Sequence, residues 1–474
     1  MTRQRPYLAS PQRRRLLQAL AASGLLGALE RNVALARTAP DYKALVCVFQ
    51  MGGNDGENTL IPYDNRGYAN YASIRTPASG LNIAHADLLP IQAARLSTPY
   101  GFHPACAPLK TLFDQKNLAV VANLGMLVRP STKAGLETQG APRPANLFSH
   151  ADQQLALQSG DYTGFNRIGW GGRIADKLKE QNAGTSFPPL ISTNGLRTFA
   201  SGQTSIPLTV PENPFFTLSD SGADQKSFDT ARDVAMQEIL AQPTTNDYDR
   251  VAKLYSKEGL AAASVVYPIL QNSASIVPQF FAGLDTSVAR QLKTVALLIE
   301  GRQQTQLKRQ VFYVNQGGYD THAAQLPHHQ QLLGDLAPAL AAFQAAMTAL
   351  GTVNDVTTFT LSDFGRTLKP ASALGTDHGW GNYAFVIGGA VKGGDFYGTV
   401  PAPVLNGPDD LGQDGRWIPT TSLEQYGATL ARWLGIAEPD LPYVFPNIGA
   451  FSKTDLGFMA KPSSPNAVAH SARS

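Results

Sequence analysis

Three β-type apolar runs, widely separated along the chain, each end in a small-residue or glycine-rich loop that carries aspartate. Val46-Cys47-Val48-Phe49-Gln50 runs into Gly52-Gly53-Asn54-Asp55-Gly56, where glycines let the backbone turn sharply and approach a ligand closely. Val311 to Asn315 runs into Gly317-Gly318-Tyr319-Asp320-Thr321-His322, and Val356 to Leu361 into Ser362-Asp363-Phe364-Gly365-Arg366, with Gly375-Thr376-Asp377-His378-Gly379 soon after. In a parallel α/β sheet the carboxyl ends of strands share one edge, so distant loops of this kind converge on one crevice. Carboxylates and imidazoles gathered there suit a metal site or acid/base chemistry. Any one aspartate after a strand also reads as a helix cap or an Asx turn. Repetition of the pattern, with His322 two residues after Asp320 and His378 beside Asp377, favours a shared site.

The rest of the pattern is α/β. Tyr42 to Gln50 reads as a buried first strand, Pro104 to Gln115 as a helix with proline near its start, and Leu118 to Asn123 as a second buried strand. Asn146 to Gln158 reads as a helix with Phe148-Ser149-His150 in its first turn, and Trp170-Gly171-Gly172-Arg173 leads into another that ends near Lys179. Short β-like pieces lie between Pro188 and Pro214. From about 226 to 301 the pattern is helical, with Val288 to Ile299 reading as part of a cap or insertion beside the sheet. Further strands are expected at Gln310 to Asn315, Thr357 to Leu361 and Tyr383 to Ala390, with a long helix from Gln325 to Leu350. Thr421-Ser422-Leu423-Glu424 reads as a capping box opening a helix to Leu434, stopped by Gly435.

At 474 residues and 43% apolar content, the chain has ample material for a large core. Its formal charge of +3 includes an arginine-rich start, so the body is close to neutral and nucleic-acid binding gains no support. That start carries Gln12-Arg13-Arg14-Arg15, a moderately apolar stretch from Ala19 to Leu29, and Ala34-Leu35-Ala36. A basic segment, a short apolar segment and an Ala-x-Ala site make a secretory leader over residues 1–36, and the adjacent arginines point to the twin-arginine route. The apolar stretch is too short for a membrane span, so the expected mature protein is periplasmic or extracellular, with no transmembrane anchor. One domain is expected over 37–461, followed by a flexible tail at 462–474. Cys47 and Cys106 read as buried free thiols rather than as a disulfide.

The order of motifs resembles an exported bacterial family, domain of unknown function 1501. It is carried by the twin-arginine leader, Gly-Gly-Asn-Asp-Gly at 52–56, Phe-Ser-His at 148–150, Tyr-Asp-Thr-His at 319–322, Ser-Asp-Phe-Gly-Arg-Thr at 362–367 and Gly-Thr-Asp-His-Gly-Trp-Gly at 375–381. The family in turn is similar to a branch of the alkaline phosphatase and sulfatase superfamily. That likeness implies a central, largely parallel sheet with helices on both faces, beside which the helical stretch at 226–301 reads as an insertion, and one or two divalent metals at strand ends. It also implies attack on an anionic phosphate or sulfate ester by a Ser, Thr or formylglycine nucleophile. Carried over by motif, Asp55, Asp320, His322, Asp363 and His378 are the implied metal ligands. Phe364 stands where the superfamily signature has a second ligand, histidine. The implied metal is Zn, Ca, Mg or Mn.

Ser149 is the candidate nucleophile, because a helix start offers free N–H groups and a positive dipole end to an oxyanion; an ordinary cap is its other reading. His150 reads equally as base, ligand or helix-surface residue. Arg366 and Arg173 read either as clamps for an anionic substrate or as partners in surface ion pairs. His328 and His329 are expected on the solvated face of the long helix, and Trp380 either lines a pocket or packs under its loop. His85, His103 and His470 carry no expected role. The competing function is a non-catalytic, metal-stabilised exported protein that binds a surface polymer or an assembly partner.

Overall fold

The computed structural model describes residues 41–212 and 225–460. The expected leader and the expected tail lie outside the described residues. The central sheet has nine strands: β1 (Lys43–Gln50), β2 (Leu118–Gly125), β3 (Leu190–Ser192), β4 (Leu208–Thr209), β5 (Arg309–Gln316), β6 (Val356–Ser362), β7 (Asn382–Ile387), β8 (Phe396–Tyr397) and β9 (Thr421–Ser422). Their order is β8-β2-β7-β6-β1-β5-β3-β4, with β9 also paired to β2. All neighbours run parallel except β7, which is antiparallel to both β2 and β6. The sheet is therefore largely parallel, and β1 lies between β5 and β6, so the three motif-bearing strands are adjacent.

Helices cover both faces. They are α1 (Ala107–Asp114), α2 (His150–Ser159), α3 (Trp170–Lys177), α4 (Gln225–Ala241), α5 (Asp247–Leu270), α6 (Ser287–Glu300), α7 (Gln325–Ala349) and α8 (Leu423–Leu434). Along β1, Ala44, Val46 and Val48 pack with α1, α6 and α7, whereas Leu45, Cys47 and Phe49 pack with α2, α3 and α8. A strand buried on both faces needs apolar residues at every position, which is why its sequence is a continuous run rather than an alternation. Cys47 and Cys106 are both buried and free.

Within the helical stretch from 225 to 300, α6 is a structural layer of the core: Leu292, Val295 and Leu298 are fully buried. α4 and α5 are more exposed, and Val251, Leu254 and Tyr255 face solvent. Among the described residues one helix, α7, is long and apolar enough to cross a membrane; its most apolar stretch is 61% buried against the sheet and its neighbours.

The strand expected to run to Ala390 ends at Ile387, and two other differences have a local cause. α2 starts at His150 rather than Asn146, because Asn146 has a left-handed backbone (φ 46°) and the Ser149 N–H closes a turn onto its carbonyl at 2.8 Å. The capping box of α8 is Ser422 with Gln425 rather than Thr421 with Glu424. Thr421 is instead paired to β2 and donates its hydroxyl to the Ala122 carbonyl, so it belongs to the sheet. Glu424 is buried, and burial pushes its carboxyl up to about 7.

Candidate metal centre

The carboxyl ends of β1, β5 and β6 put residues 52–56, 317–322 and 362–366 on one edge, as adjacent parallel strands require. The chain then returns through a hairpin in which Arg366–Pro370 pairs with Thr376–His378, placing His378 opposite Arg366. His150 arrives from the other side as the first residue of α2. Gly52 and Gly375 let these loops pack closely on one another. Gly52 has φ 114°, and a Cβ there would lie 2.4 Å from the Asp320 nitrogen; a Cβ on Gly375 would lie 2.2 Å from the carbonyl carbon of His322.

Four side chains meet at this edge: His150, Asp320, His322 and His378 offer donor atoms that all lie within 4.8 Å of one another. His378 Nε2 is 2.9 Å from His150 Nε2 and 2.8 Å from His322 Nε2. Asp320 Oδ1 is 2.9 Å from His322 Nε2, 3.2 Å from His150 Nε2 and 3.7 Å from His378 Nε2. Asp320 and His322 are about half exposed, which leaves the cluster open to solvent on one side.

The protons on the far side of the rings decide what this cluster wants. His378 Nδ1 lies 2.7 Å from the Phe148 carbonyl, which can only accept, so Nδ1 carries the hydrogen. His150 Nδ1 lies 2.8 Å from the Asp363 carboxylate, which likewise accepts. In their neutral forms both rings therefore present bare Nε2 lone pairs, and these face each other at 2.9 Å. Lone pairs so close repel unless a proton or a metal cation lies between them, and imidazoles backed by carboxylate or carbonyl acceptors are the usual arrangement of metal-binding histidines.

The surroundings agree. The hydrogen bond that His150 Nδ1 donates to Asp363 raises the His150 pKa. Burial lowers the His378 pKa, favouring its neutral, ligating form. Burial works to raise Asp320, but the hydrogen bond and charge of Arg366 win and hold it below the usual carboxylate range. Asp363 is fully buried; Gln154 also donates to its Oδ2, and its Oδ1 has no hydrogen-bond partner, an anionic atom that a nearby cation would balance. The residues present therefore fit a divalent metal ion: three imidazoles and Asp320 to hold it, with Asp363 behind His150.

A family model described as "Protein of unknown function (DUF1501)" matches residues 42–406. The chain belongs to this family. No curated protein matches the sequence. Among solved structures, a sulfatase from Pseudoalteromonas sp. is 11% identical over 96% of this chain and 78% of that one, with a TM-score of 0.35. A lipoteichoic acid synthase from Listeria monocytogenes is 8% identical over 85% of this chain and 74% of that one, with a TM-score of 0.36. A phosphonate monoester hydrolase from Silicibacter pomeroyi is 9% identical, covering 85% and 77%, with a TM-score of 0.29.

In this DUF1501 chain the cluster contains Asp320, His322 and His378 but neither Asp55 nor Asp363, which stands behind His150 instead. Asp55 is fully buried against Arg75, whose Nη1 and Nη2 donate to its two oxygens at 2.6 and 3.1 Å, and it also caps Glu57 at 3.0 Å. Its charge is already met, and Arg75 overrides burial to keep it below the usual carboxylate range. Phe364 is buried, with its ring centroid 4.8 Å from those of both His150 and His378. An apolar ring thus walls the cluster at that side.

Arg366 is 1% exposed and donates to Asp320 and to the Tyr319 carbonyl, a placement that orients Asp320 rather than one open to a substrate. Arg173 is also buried and forms no surface pair; it donates to the Val444, Ile168 and Ser159 carbonyls. Trp380 packs with Leu127, Leu147 and Ile418 and donates to the Met126 carbonyl, which fits the packing reading. His328 is exposed, but His329 is 1% exposed and bonded to Asn54, because the whole inner face of α7 is core. Ser149 is the N-cap of α2, yet its hydroxyl makes no capping hydrogen bond.

Proposed function

We propose that this protein is an exported, metal-dependent hydrolase of phosphate or sulfate esters. The observation that carries the reading is the cluster of three imidazoles around Asp320, with Ser149, whose hydroxyl is left uncapped at a helix start, next in sequence to His150. His150, His322, His378 and Asp320 would hold the ion, and Asp363, Gln154 and Arg366 would orient them. This set is richer in imidazole than the motif carry-over implied, so it suits zinc better than calcium or magnesium. Bound there, a divalent cation would supply Lewis-acid polarisation of the ester oxygens.

The chain's own part follows from α2. Ser149 Oγ would form the new bond to phosphorus or sulfur while the ester oxygen leaves as an alcohol, taking up the proton the serine gives. Water would then release the phosphate or sulfate and regenerate the serine. Unpaired N–H groups in the first turn of α2, with the positive end of its dipole, would hold the transferring oxygens. A twin-arginine leader over residues 1–36 would put this chemistry outside the cytoplasm.

One observation favours the second reading, a non-catalytic, metal-stabilised exported protein. Four protein donors would by themselves meet the ligand count of a structural zinc site. The test is a screen of aryl phosphate and aryl sulfate esters with zinc-loaded and chelated protein. The hydrolase reading expects turnover of one ester class that chelation abolishes and added zinc restores. Stoichiometric metal with no turnover of either class, and a melting temperature that falls on chelation, would move the assignment to the second reading.

A further inference from the structure

Behind the four-residue cluster lies a buried polar hub that touches none of the donor atoms but reaches both loops that carry them. Its centre is Gln325, 0% exposed, at the start of α7. Its amide nitrogen donates to Asp55 Oδ2. Because a carboxylate only accepts, this contact fixes which way the amide faces and turns its oxygen toward the other side. That oxygen accepts from two threonine hydroxyls: Thr321 Oγ1 at 3.1 Å and Thr376 Oγ1 at 2.5 Å. Thr321 stands between Asp320 and His322, and Thr376 stands two residues before His378.

The other side of the hub is equally anchored. Arg75, paired with Asp55, also donates to the Thr367 and Leu368 carbonyls, the residues that follow Arg366 in the hairpin. One buried ion pair and one amide therefore tie together the 52–56 loop, the 319–322 loop and both strands of the hairpin that ends at His378. Thr321 and Thr376 are 5% and 0% exposed, so neither hydroxyl has a large supply of water to fall back on.

We propose that Asp55 and Gln325 form a positioning hub for the metal centre, in which the threonine of Tyr-Asp-Thr-His and the threonine of Gly-Thr-Asp-His are locked to one amide oxygen so that Asp320, His322 and His378 are held in register. The inference rests on the metal-centre reading above. It gives the aspartate of Gly-Gly-Asn-Asp-Gly an organising role two contacts removed from the ion instead of a ligand's role. Thr321, Thr376 and Gln325 are positioning residues in this account.

The test uses cobalt(II) as the probe on the mature protein, reading its dissociation constant and its visible d–d absorption, which reports coordination geometry. Thr376→Val and Thr321→Val keep shape but remove the hydroxyl. Each is expected to weaken cobalt binding by roughly 10- to 100-fold, the range for partners outside the first coordination shell, and to alter the spectrum. Thr376→Ser, which keeps the hydroxyl, should restore both. If Thr376→Val fails to fold, Thr321→Val carries the same measurement at a different loop. Folded valine variants with wild-type affinity and spectrum would overturn the hub and leave the metal centre standing; wild-type protein that binds no cobalt would overturn both.

Discussion

Ser149→Ala is expected to lower ester hydrolysis by roughly 10³-fold or more while metal content and melting temperature stay at wild-type values. The separation follows from where the hydroxyl sits. Ser149 makes no side-chain cap for α2, and its backbone carbonyl, which accepts from Gln153 at 2.9 Å, is untouched by the substitution. The usual cost of losing a serine cap, about 1 kcal/mol, therefore does not apply. His150, the next residue, keeps its bond to Asp363, so the metal ligands are not disturbed. A nucleophile removed from an otherwise intact site costs the step it performs and little else. Steady-state kinetics on the best ester found, with metal analysis of the same samples, checks both halves. Full activity in the variant would remove Ser149 from the mechanism; lost activity with lost metal would make it a structural residue.

Arg75→Met is expected to destabilise the fold by about 3–5 kcal/mol at neutral pH, because it strips the counter-charge from a buried carboxylate. Both members of the Asp55–Arg75 pair are 0% exposed. In the wild type the folded pKa of Asp55 is depressed, so its contribution is present above the unfolded value and is lost as pH falls through the folded one. Without Arg75, burial is the largest remaining influence and raises the pKa. The folded variant then binds a proton that the unfolded chain has released, so its stability falls as pH rises between the unfolded and the raised value. The deficit relative to wild type should thus be largest at pH 7 and shrink toward pH 4. Urea unfolding of both proteins at several pH values measures it, and a deficit independent of pH would contradict the role given to Asp55.

How much of this was legible in the chain depends on where the deciding contact lies. β1, β5 and β6 could be read because each carries a run of apolar and β-branched residues ending in a small-residue loop, and their shared edge brought Asp320, His322 and His378 together as expected. Asp55 looks the same in sequence as they do. What separates it is Arg75, at the C-cap of the helix Asn65–Ile74, a position with no motif of its own. His150 stayed open between base, ligand and surface because its direction depends on the turn at Asn146, where the backbone turns left-handed and delays the helix by four residues.

His329 reads as a surface residue because the pair His328-His329 is polar, yet α7 is packed so deeply that one of the two must face the core. It lies near Asp55, bonded to Asn54, and burial pushes its pKa down to about 3. Thr321 and Thr376 are small polar residues inside recognisable motifs, and nothing local marks them as partners of the same glutamine. The glycines carry a similar lesson: Gly52 and Gly375 signal a close approach correctly, but what approaches is another loop.

The proposed chemistry requires that His150, Asp320, His322 and His378 hold a metal ion. Elemental analysis of the mature protein, purified without chelator or affinity metal, tests it most directly when paired with the His322→Ala/His378→Ala variant. The account predicts close to one divalent ion per chain in the wild type and none in the variant, since two of four donors are gone. Wild-type protein that is metal-free, and whose melting temperature ignores added zinc, cobalt and manganese, would contradict it.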